Sequence, residues 1–367
     1  MAPGWAGALA VLLALGNATS SSRTGLLQWL LIPLLTAWWA LPGRWFLLRL
    51  ALLALVAYGL AVFTLPWLLE LAMGVHGGTL FGRLVTDTGC SSRRVLWSNV
   101  LTLIGQKPWL GWGWGELDYA HFITLYPDAR FCEILDNAHN LPLHLAVELG
   151  VPAALALCGA TVWLVWRARP WHETEPARQM AWGMLAVIAL HSLLEYPLWY
   201  GPFQMVAGLC VFILWRGRGG RPVCRRPEPR LLGEMAHALG AVFLMASLAY
   251  AAWDYHRISQ IYLLPAARNA AYRDDTLDKI RSSWLFRAEV GFAELSLTPL
   301  TRETAQWTFD TASRLLHYSP EPRVIEKLIE SAVMLGRDDE ALAYLARYQA
   351  AFASEHARWA KENATTR

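Results

Sequence analysis

A histidine at the start of an apolar segment is the residue in this sequence best suited to acid–base chemistry. His139 follows Asp136 and Asn137, whose short polar side chains are typical caps for a helix that begins there. A neutral imidazole at this position can accept a proton from a hydroxyl group near neutral pH. The sequence therefore points to His139 as a candidate general base.

Two adjacent arginines, Arg93 and Arg94, are candidate phosphate-binding residues. Arginine presents a fixed fork of donors that matches phosphate oxygens, and it keeps its charge at any working pH. The alternative is that both side chains anchor the chain to lipid headgroups. Composition alone favours that alternative, so the two interpretations stay open at this point.

The run 111–115 (GWGWG) alternates glycine with Trp112 and Trp114. Glycine permits positive φ angles and close backbone approach. The tryptophan faces could stack on sugars, or they could lie at a membrane interface, where amphipathic rings gather. Without other evidence, an interfacial turn is the favoured interpretation.

Ionisable residues also occur inside an apolar segment. His144 and Glu148 are four residues apart and so share one face of a helix. Such groups are costly within a membrane span, which makes them functional suspects, although a helix-packing role for His144 is the alternative. No HExxH, CxxC or DxD-type pair occurs in this region, so the sequence predicts no metal and no other cofactor.

A second apolar segment, further along the chain, also has ionisable residues at its end. His191 and Glu195 end an apolar segment and precede the aromatic run 196–200. These side chains could line the same pocket as His139. The alternative is a polar helix end beside an aromatic belt.

Long apolar segments must position these residues. The chain has 367 residues, of which 55% are hydrophobic and 17% charged, and its mean hydropathy is +0.28. Soluble proteins carry nearer a quarter charged residues. The shortage of charged residues lies in the first 250 residues, whereas the segment 252–367 has the composition of a soluble protein. The sequence therefore predicts an all-α polytopic membrane protein with a soluble helical tail, and the net charge of +3 does not indicate a nucleic-acid partner.

About seven membrane spans are predicted, because a span needs about 20 apolar residues. Their ranges are 4–19, 26–42, 46–70, 142–166, 180–198, 203–215 and 231–251. The loops 167–179 and 216–230 are rich in arginine and are predicted to be cytoplasmic. Alternation then places the segment 71–139 and the tail on the periplasmic side.

Four regions follow from this topology: N-terminal spans at 1–70, a periplasmic loop at 71–139, C-terminal spans at 140–251 and a periplasmic tail at 252–367. The tail shows helical periodicity. Within it, 323–352 predicts two helices around a turn at 336–339, either a tetratricopeptide-type hairpin or simply packed amphipathic helices.

The five cysteines fall into different environments. Cys158 and Cys210 lie in predicted spans and are expected to be packing residues. Cys224 lies in a cytoplasmic loop and should be reduced. Cys90 and Cys132 both lie in the periplasmic loop, where a disulfide between them and two free thiols are equally compatible with the spacing.

Several of these residues together resemble a known family. His139-Asn140, followed after nine residues by Gly150, resembles the His-(Asn/Ser/Gln)-x9-Gly-x-x-Gly pattern of the O-antigen ligase superfamily, with Ala153 in the last glycine position. Upstream, Ser92-Arg93, Trp97, Pro108 and 111–115 are similar to that superfamily's large periplasmic loop. The stretch 191–203 (HSLLEYPLWYGPF) and the tail resemble PglL-type bacterial protein O-oligosaccharyltransferases, which are related to membrane-bound polymerases described as virulence factors. The resemblance covers roughly 75–350.

The resemblance implies a reaction in which a glycan on undecaprenyl pyrophosphate is transferred to a hydroxyl group in the periplasm, at the bacterial inner membrane. It implies His139 as the base or acceptor-orienting residue, and Arg93 as the cation that neutralises the pyrophosphate. The remaining substrate-binding candidates are Arg94, Trp97, Trp112, Trp114, Asn140, His144 and Glu195. The implied partners are the lipid-linked glycan, membrane lipids and an acceptor, either a periplasmic protein such as a pilin or the lipid A core.

Three functions remain open. The first is protein O-oligosaccharyltransferase, acting on Ser or Thr hydroxyls. The second is an O-antigen ligase or polymerase acting on lipopolysaccharide or another glycan. The third is a non-catalytic membrane scaffold or an inactive truncation, because members of this family usually carry several more N-terminal spans than this chain.

Overall fold

The structure is a computed structural model, and it describes residues 3–19, 23–39, 43–73, 89–216 and 230–365. Over these residues the secondary structure is helical and contains no strand, as the sequence predicts. The α-helices are α1 Pro3–Thr19, α2 Arg23–Trp38, α3 Arg44–Met73, α4 Arg93–Gln106, α5 Leu117–Ile123, α6 Leu141–Leu149, α7 Val151–Ala168, α8 Pro176–Ser192, α9 Gly201–Arg216, α10 Arg230–Ser259, α11 Thr276–Ile280, α12 Arg287–Leu297, α13 Ala305–Leu315, α14 Pro322–Met334, α15 Asp338–Ala351 and α16 Ala353–Thr365. Most of the cytoplasmic loop predicted at 216–230, with Cys224, lies outside the described residues.

Three helical segments in the described part of the chain are long and apolar enough to cross a membrane: Arg44–Leu65, Val151–His172 and Ala238–Tyr262. In the last two, only 6% of the apolar stretch is buried within the protein. Large exposed apolar surfaces of this kind are typical of contact with lipid. Three shorter apolar helices are Gly4–Thr19, Thr24–Trp38 and Gly201–Arg216, so the number of spans stays a prediction.

The fourth predicted span, 142–166, is not one continuous helix. The chain is helical to Leu149 and again from Val151, but it breaks at Gly150, whose φ is +85°. A positive φ is incompatible with a right-handed helix and is readily adopted by glycine. The span candidate therefore begins at Val151, and α6 is a separate short helix.

The chain forms two compact units. The first contains residues 1–114 and 128–220. Within it, α1 and α3 pack through small side chains, with Ala14, Ala18 and Ala54 nearly or fully buried. Small residues let helix backbones approach closely, which is a common way to associate helices in lipid.

The second unit contains residues 115–127 and 221–367. The predicted tail boundary at 252 falls inside α10, which runs unbroken from Arg230 to Ser259. In this unit, α14 and α15 are the two helices predicted around the turn at 336–339, and Gly336 has a positive φ of +69° there. The segment 115–127 contributes the 1% exposed Phe122 to the core around this hairpin.

Polar contacts hold the segment 115–127 within the second unit. Arg347 Nε donates to the carbonyl oxygen of Ile123 at 2.9 Å, and His317 Nδ1 lies 2.7 Å from Glu116 Oε2.

A buried ion pair lies near the C-terminal end of α10, where the fully buried Asp254 binds Arg257 Nε at 2.6 Å. Its other oxygen accepts a hydrogen bond from Ser283 Oγ at 3.0 Å.

Cys90 and Cys132 form a disulfide, with their Cα atoms 5.4 Å apart. This separation lies in the usual range for such bridges. The bond closes a loop across 42 residues, directly before the helix that carries Arg93. Cys158 and Cys210 are free, and Cys210 is buried.

We expect Cys132→Ser to destabilise the first unit by about 4 kcal/mol, because the open chain regains the entropy of this loop. The measurement is thermal melting of the purified chain, together with labelling by a mass-shifting maleimide before and after reduction. Cys158→Ser is the control, since that thiol is unbridged. Equal labelling of the native chain with and without reductant would show that the bridge is not formed.

Candidate active site

Helix α4 places Arg93 at its first position. Ser92 is the N-cap, and its hydroxyl accepts a hydrogen bond from a backbone N–H of the first turn. The buried Asn99 lies further along α4; its amide donates to the carbonyl oxygen of Ala129 at 3.0 Å and accepts from the N–H of Phe131 at 2.8 Å. Asn99 thus fixes α4 against the segment that leads to His139.

The backbone around His139 is held in an uncommon conformation. His139 has a φ of +50°, which costs a residue with a side chain about 1–3 kcal/mol and is found most often at functional sites. Asn137 supports this turn, because its side-chain oxygen accepts the N–H of His139 at 2.9 Å. Asn140 caps α6 and also donates to the carbonyl oxygen of Leu193 at 2.9 Å. Two amide side chains therefore fix the position of the imidazole.

Glu195 joins the two predicted catalytic residues. One oxygen of its carboxylate is ion-paired with the guanidinium of Arg93, and the other lies 2.7 Å from Nδ1 of His139. The three side chains are between 28% and 32% exposed, so the cluster is accessible from solvent. Trp97 braces the arrangement by donating from its indole nitrogen to the carbonyl oxygen of Ala138 at 3.0 Å.

The Glu195 contact determines the tautomer of His139. Because a carboxylate only accepts hydrogen bonds, Nδ1 must carry the proton, and Nε2 of the neutral ring then keeps its lone pair. Burial and the positive charge of Arg93 lower the pKa of His139, against weaker opposite effects of Asp136 and Glu133. The arrangement therefore favours a neutral imidazole with one nitrogen able to accept a proton.

A second cluster adjoins the start of α6. Trp114 and Trp199 stack with ring centroids 6.2 Å apart, and the buried His144 contacts both rings edge-on. Glu148 Oε2 lies 3.3 Å from Nε2 of His144. The same helix holds the glycine–tryptophan loop, since the N–H of Gly113 donates to the carbonyl oxygen of Glu148 at 3.0 Å.

Glycine is required where this loop meets the break after α6. A Cβ atom on Gly150 would lie 2.2 Å from the carbonyl oxygen of Trp109, and one on Gly111 would lie 2.3 Å from that of Glu148. The N–H of Val151 donates across the same junction to Pro108. Gly150, recognised in the sequence by its spacing from His139, thus serves a close backbone approach.

The structure brings together most of the candidates named from the sequence. Arg93, Trp97, His139, Asn140 and Glu195 lie in one cluster, and Trp114 lies with His144 in the other. Trp112 is engaged elsewhere, because its indole donates to Leu103 and the Lys107 ammonium covers its ring at 4.0 Å. Arg94 is exposed beside Arg93.

Two aromatic residues of the site were not predicted individually from the sequence. Tyr196 packs edge-on against His139 at 4.8 Å between ring centroids, and Trp199 stacks on Trp114. Both belong to the run 196–200, which was singled out only as a possible pocket lining or aromatic belt. Their position directly after Glu195 was the available signal.

Two curated proteins are similar to part of this chain. A protein named general O-oligosaccharyltransferase from Acinetobacter baylyi is 29% identical to this chain over 121 residues. The matched residues are 32% of this chain and 21% of the relative. A ComP-specific O-oligosaccharyltransferase from the same organism is 28% identical over 126 residues, covering 34% of this chain and 22% of the relative. The matched part therefore spans about a fifth of these curated relatives. No solved structure matches the chain.

Two family models match the sequence. The model described as O-antigen ligase matches residues 8–158, which include Arg93, His139 and Gly150. The model described as virulence factor membrane-bound polymerase, C-terminal, matches residues 179–366, which is half of the chain and includes Glu195 and Trp199. The chain therefore belongs to the family of virulence factor membrane-bound polymerases, represented by their C-terminal region.

Proposed function

We propose that this chain is a glycosyltransferase that moves an oligosaccharide from undecaprenyl pyrophosphate to Ser or Thr hydroxyls of periplasmic proteins. The observation that carries the proposal is the shared contact of Glu195 with Arg93 and His139. It combines a fixed cation with an oriented base, which is most of what transfer from a good leaving group requires. The names of the two similar relatives support protein as the acceptor.

The proposed glycan transfer needs no metal ion or nucleotide. Nε2 of His139 takes the proton of the acceptor hydroxyl, and that oxygen forms a bond to the anomeric carbon of the glycan. The bond between this carbon and the pyrophosphate oxygen breaks, and undecaprenyl pyrophosphate leaves with the electron pair. Arg93 binds its phosphate oxygens, assisted by the positive end of α4. Glu195 stabilises the imidazolium that forms.

The proposal includes a location. The chain lies in the bacterial inner membrane as a multi-pass protein, with the candidate active site at the outer face and the second unit in the periplasm. The Cys90–Cys132 disulfide supports this side for the loop, because disulfides persist in the periplasm and are rare in the cytoplasm.

An O-antigen ligase or polymerase is the second candidate function. The match of residues 8–158 to the O-antigen ligase model favours it. The same Arg93 and His139 would serve this reaction, with a lipid A core sugar or a growing glycan as acceptor.

The test is expression in a bacterium that makes an undecaprenyl-linked glycan but lacks its own ligase and transferase. Glycan on pilin-like proteins is the expected result, and His139→Ala should abolish it while the protein still accumulates in the membrane. Glycan on lipopolysaccharide instead would favour the second candidate. Absence of glycan from both acceptors would overturn the proposal.

The pH dependence should follow the ionisation of His139. Because burial and Arg93 lower the pKa of His139, the imidazole stays neutral below its usual value of about 6.5. We therefore expect kcat/KM to fall only at a pH below the usual histidine value, and Arg93→Gln should move this acid limb to higher pH in the residual activity. A pH profile of purified enzyme measures both; an acid limb that stays unchanged in Arg93→Gln would contradict the assignment.

A further inference from the structure

Trp114 and Trp199 stack on each other at the candidate active site, and we call this pair the aromatic ledge. Their ring planes are 16° apart, with centroids at 6.2 Å. Trp114 is 65% exposed and Trp199 is 40% exposed. A single exposed tryptophan is ordinary, but a stacked pair that stays this exposed presents apolar ring faces and edges to solvent at one place.

A buried histidine packs against both rings of the ledge. His144 is only 2% exposed and packs edge-on against both rings, 4.8 Å from Trp199 and 6.3 Å from Trp114 between centroids. Its buried Nδ1 has no hydrogen-bond partner among the described residues.

The ledge lies close to the proposed reacting groups. Trp199 follows Glu195 by four residues, so their Cα atoms are at most about 14 Å apart. The N–H of Trp199 donates to the carbonyl oxygen of Tyr196 at 3.1 Å, and Tyr196 packs on His139. One short segment thus fixes the base and the ledge together.

We propose that the aromatic ledge binds a pyranose ring of the transferred glycan, and this inference rests on the proposed function. One face of a pyranose is a flat set of C–H groups, which pack on an indole face while the hydroxyls remain in water. Tryptophan supplies this area with few rotamers to restrict, so little entropy is lost on binding. Trp199 is then a specificity residue of the donor site, and His144 is a positioning residue beneath it.

The test measures binding without turnover. The probe is the oligosaccharide freed by mild acid from the lipid-linked glycan, and saturation-transfer NMR follows its binding to the detergent-solubilised full chain. We expect Trp199→Ala to weaken binding about tenfold, as loss of one aromatic contact would do, and Trp199→Phe to restore part of it. Trp109→Ala is the matched control, since this 76% exposed ring lies in the same loop outside the ledge.

Two further probes separate the possible ligands. Undecaprenyl phosphate without sugar tests whether the ledge binds the lipid chain, and lipid A core oligosaccharide tests whether it binds an acceptor sugar. A loss confined to either of these probes, or no binding of the freed oligosaccharide to the native chain, would overturn the inference. Because binding needs no catalysis, a chain that transfers no glycan but binds the oligosaccharide through Trp199 would refute only the proposed function.

Discussion

Glu195→Gln should lower the rate of glycan transfer by about 10²–10⁴-fold while the chain remains folded. Glutamine keeps the size of the side chain but loses its charge, and one of its two terminal atoms becomes a donor. It can no longer accept from both Arg93 and His139, so Nδ1 of the imidazole loses the partner that sets its tautomer. Single-turnover transfer from a lipid-linked glycan to an acceptor protein measures the effect.

Glu175→Gln is the matched control for this substitution. Glu175 is an exposed carboxylate directly before α8, at the opposite end of that helix from Glu195. We expect its rate to stay near that of the native chain. If Glu195→Gln transferred glycan at the native rate, Glu195 would be only a structural partner of Arg93, and the assignment of an oriented base would be wrong.

Gly150→Ala is expected to destabilise the first unit by about 3 kcal/mol or more, since steric overlap and backbone strain add. The added methyl group would meet the carbonyl oxygen of Trp109 at 2.2 Å, and this neighbour is backbone, which cannot rotate away. A φ of +85° adds a further cost of about 1–2 kcal/mol for any residue with a Cβ atom. Thermal melting of the solubilised protein and its yield in the membrane measure the loss.

The chain offers a close control for that experiment. Gly159 lies in α7, and a Cβ atom there would have no heavy atom within 4 Å. Alanine is also preferred to glycine inside a helix. Gly159→Ala should therefore melt at or slightly above the native temperature, and equal melting of both variants would show that the backbone junction at Gly150 is looser than described.

Local signals in the sequence were enough to predict a helical protein and several site residues. The caps before His139 marked the start of α6, whereas α4 and α5 lie in the segment 71–139, which was predicted only as a loop. The break at Gly150 was missed, because hydropathy continues across it and records only how apolar a residue is. The reason for the break is a backbone contact with Trp109, which lies about 40 residues earlier in the chain.

The central contact of the site has no local signature. Glu195 lies 102 residues from Arg93 and 56 from His139, so only the packing of helices brings these residues together. The pairing of Cys90 with Cys132 was likewise one of two equal alternatives until the fold placed them side by side. The types of these residues were therefore enough to predict that they take part in the site or in a disulfide. Which residue contacts which could be known only from the tertiary structure.

The burial of Phe122 among the tail helices limits how this protein can be divided. The second unit takes this side chain from a segment that lies about 100 residues before α10. A fragment made of residues 230–365 would lack it, leaving a cavity lined by apolar groups where the phenyl ring packs. Deletion of such a ring from a core commonly costs about 3–5 kcal/mol. The tail is therefore not a detachable module, and a fragment for crystallography or interaction screening would need the segment 115–127 joined back to it.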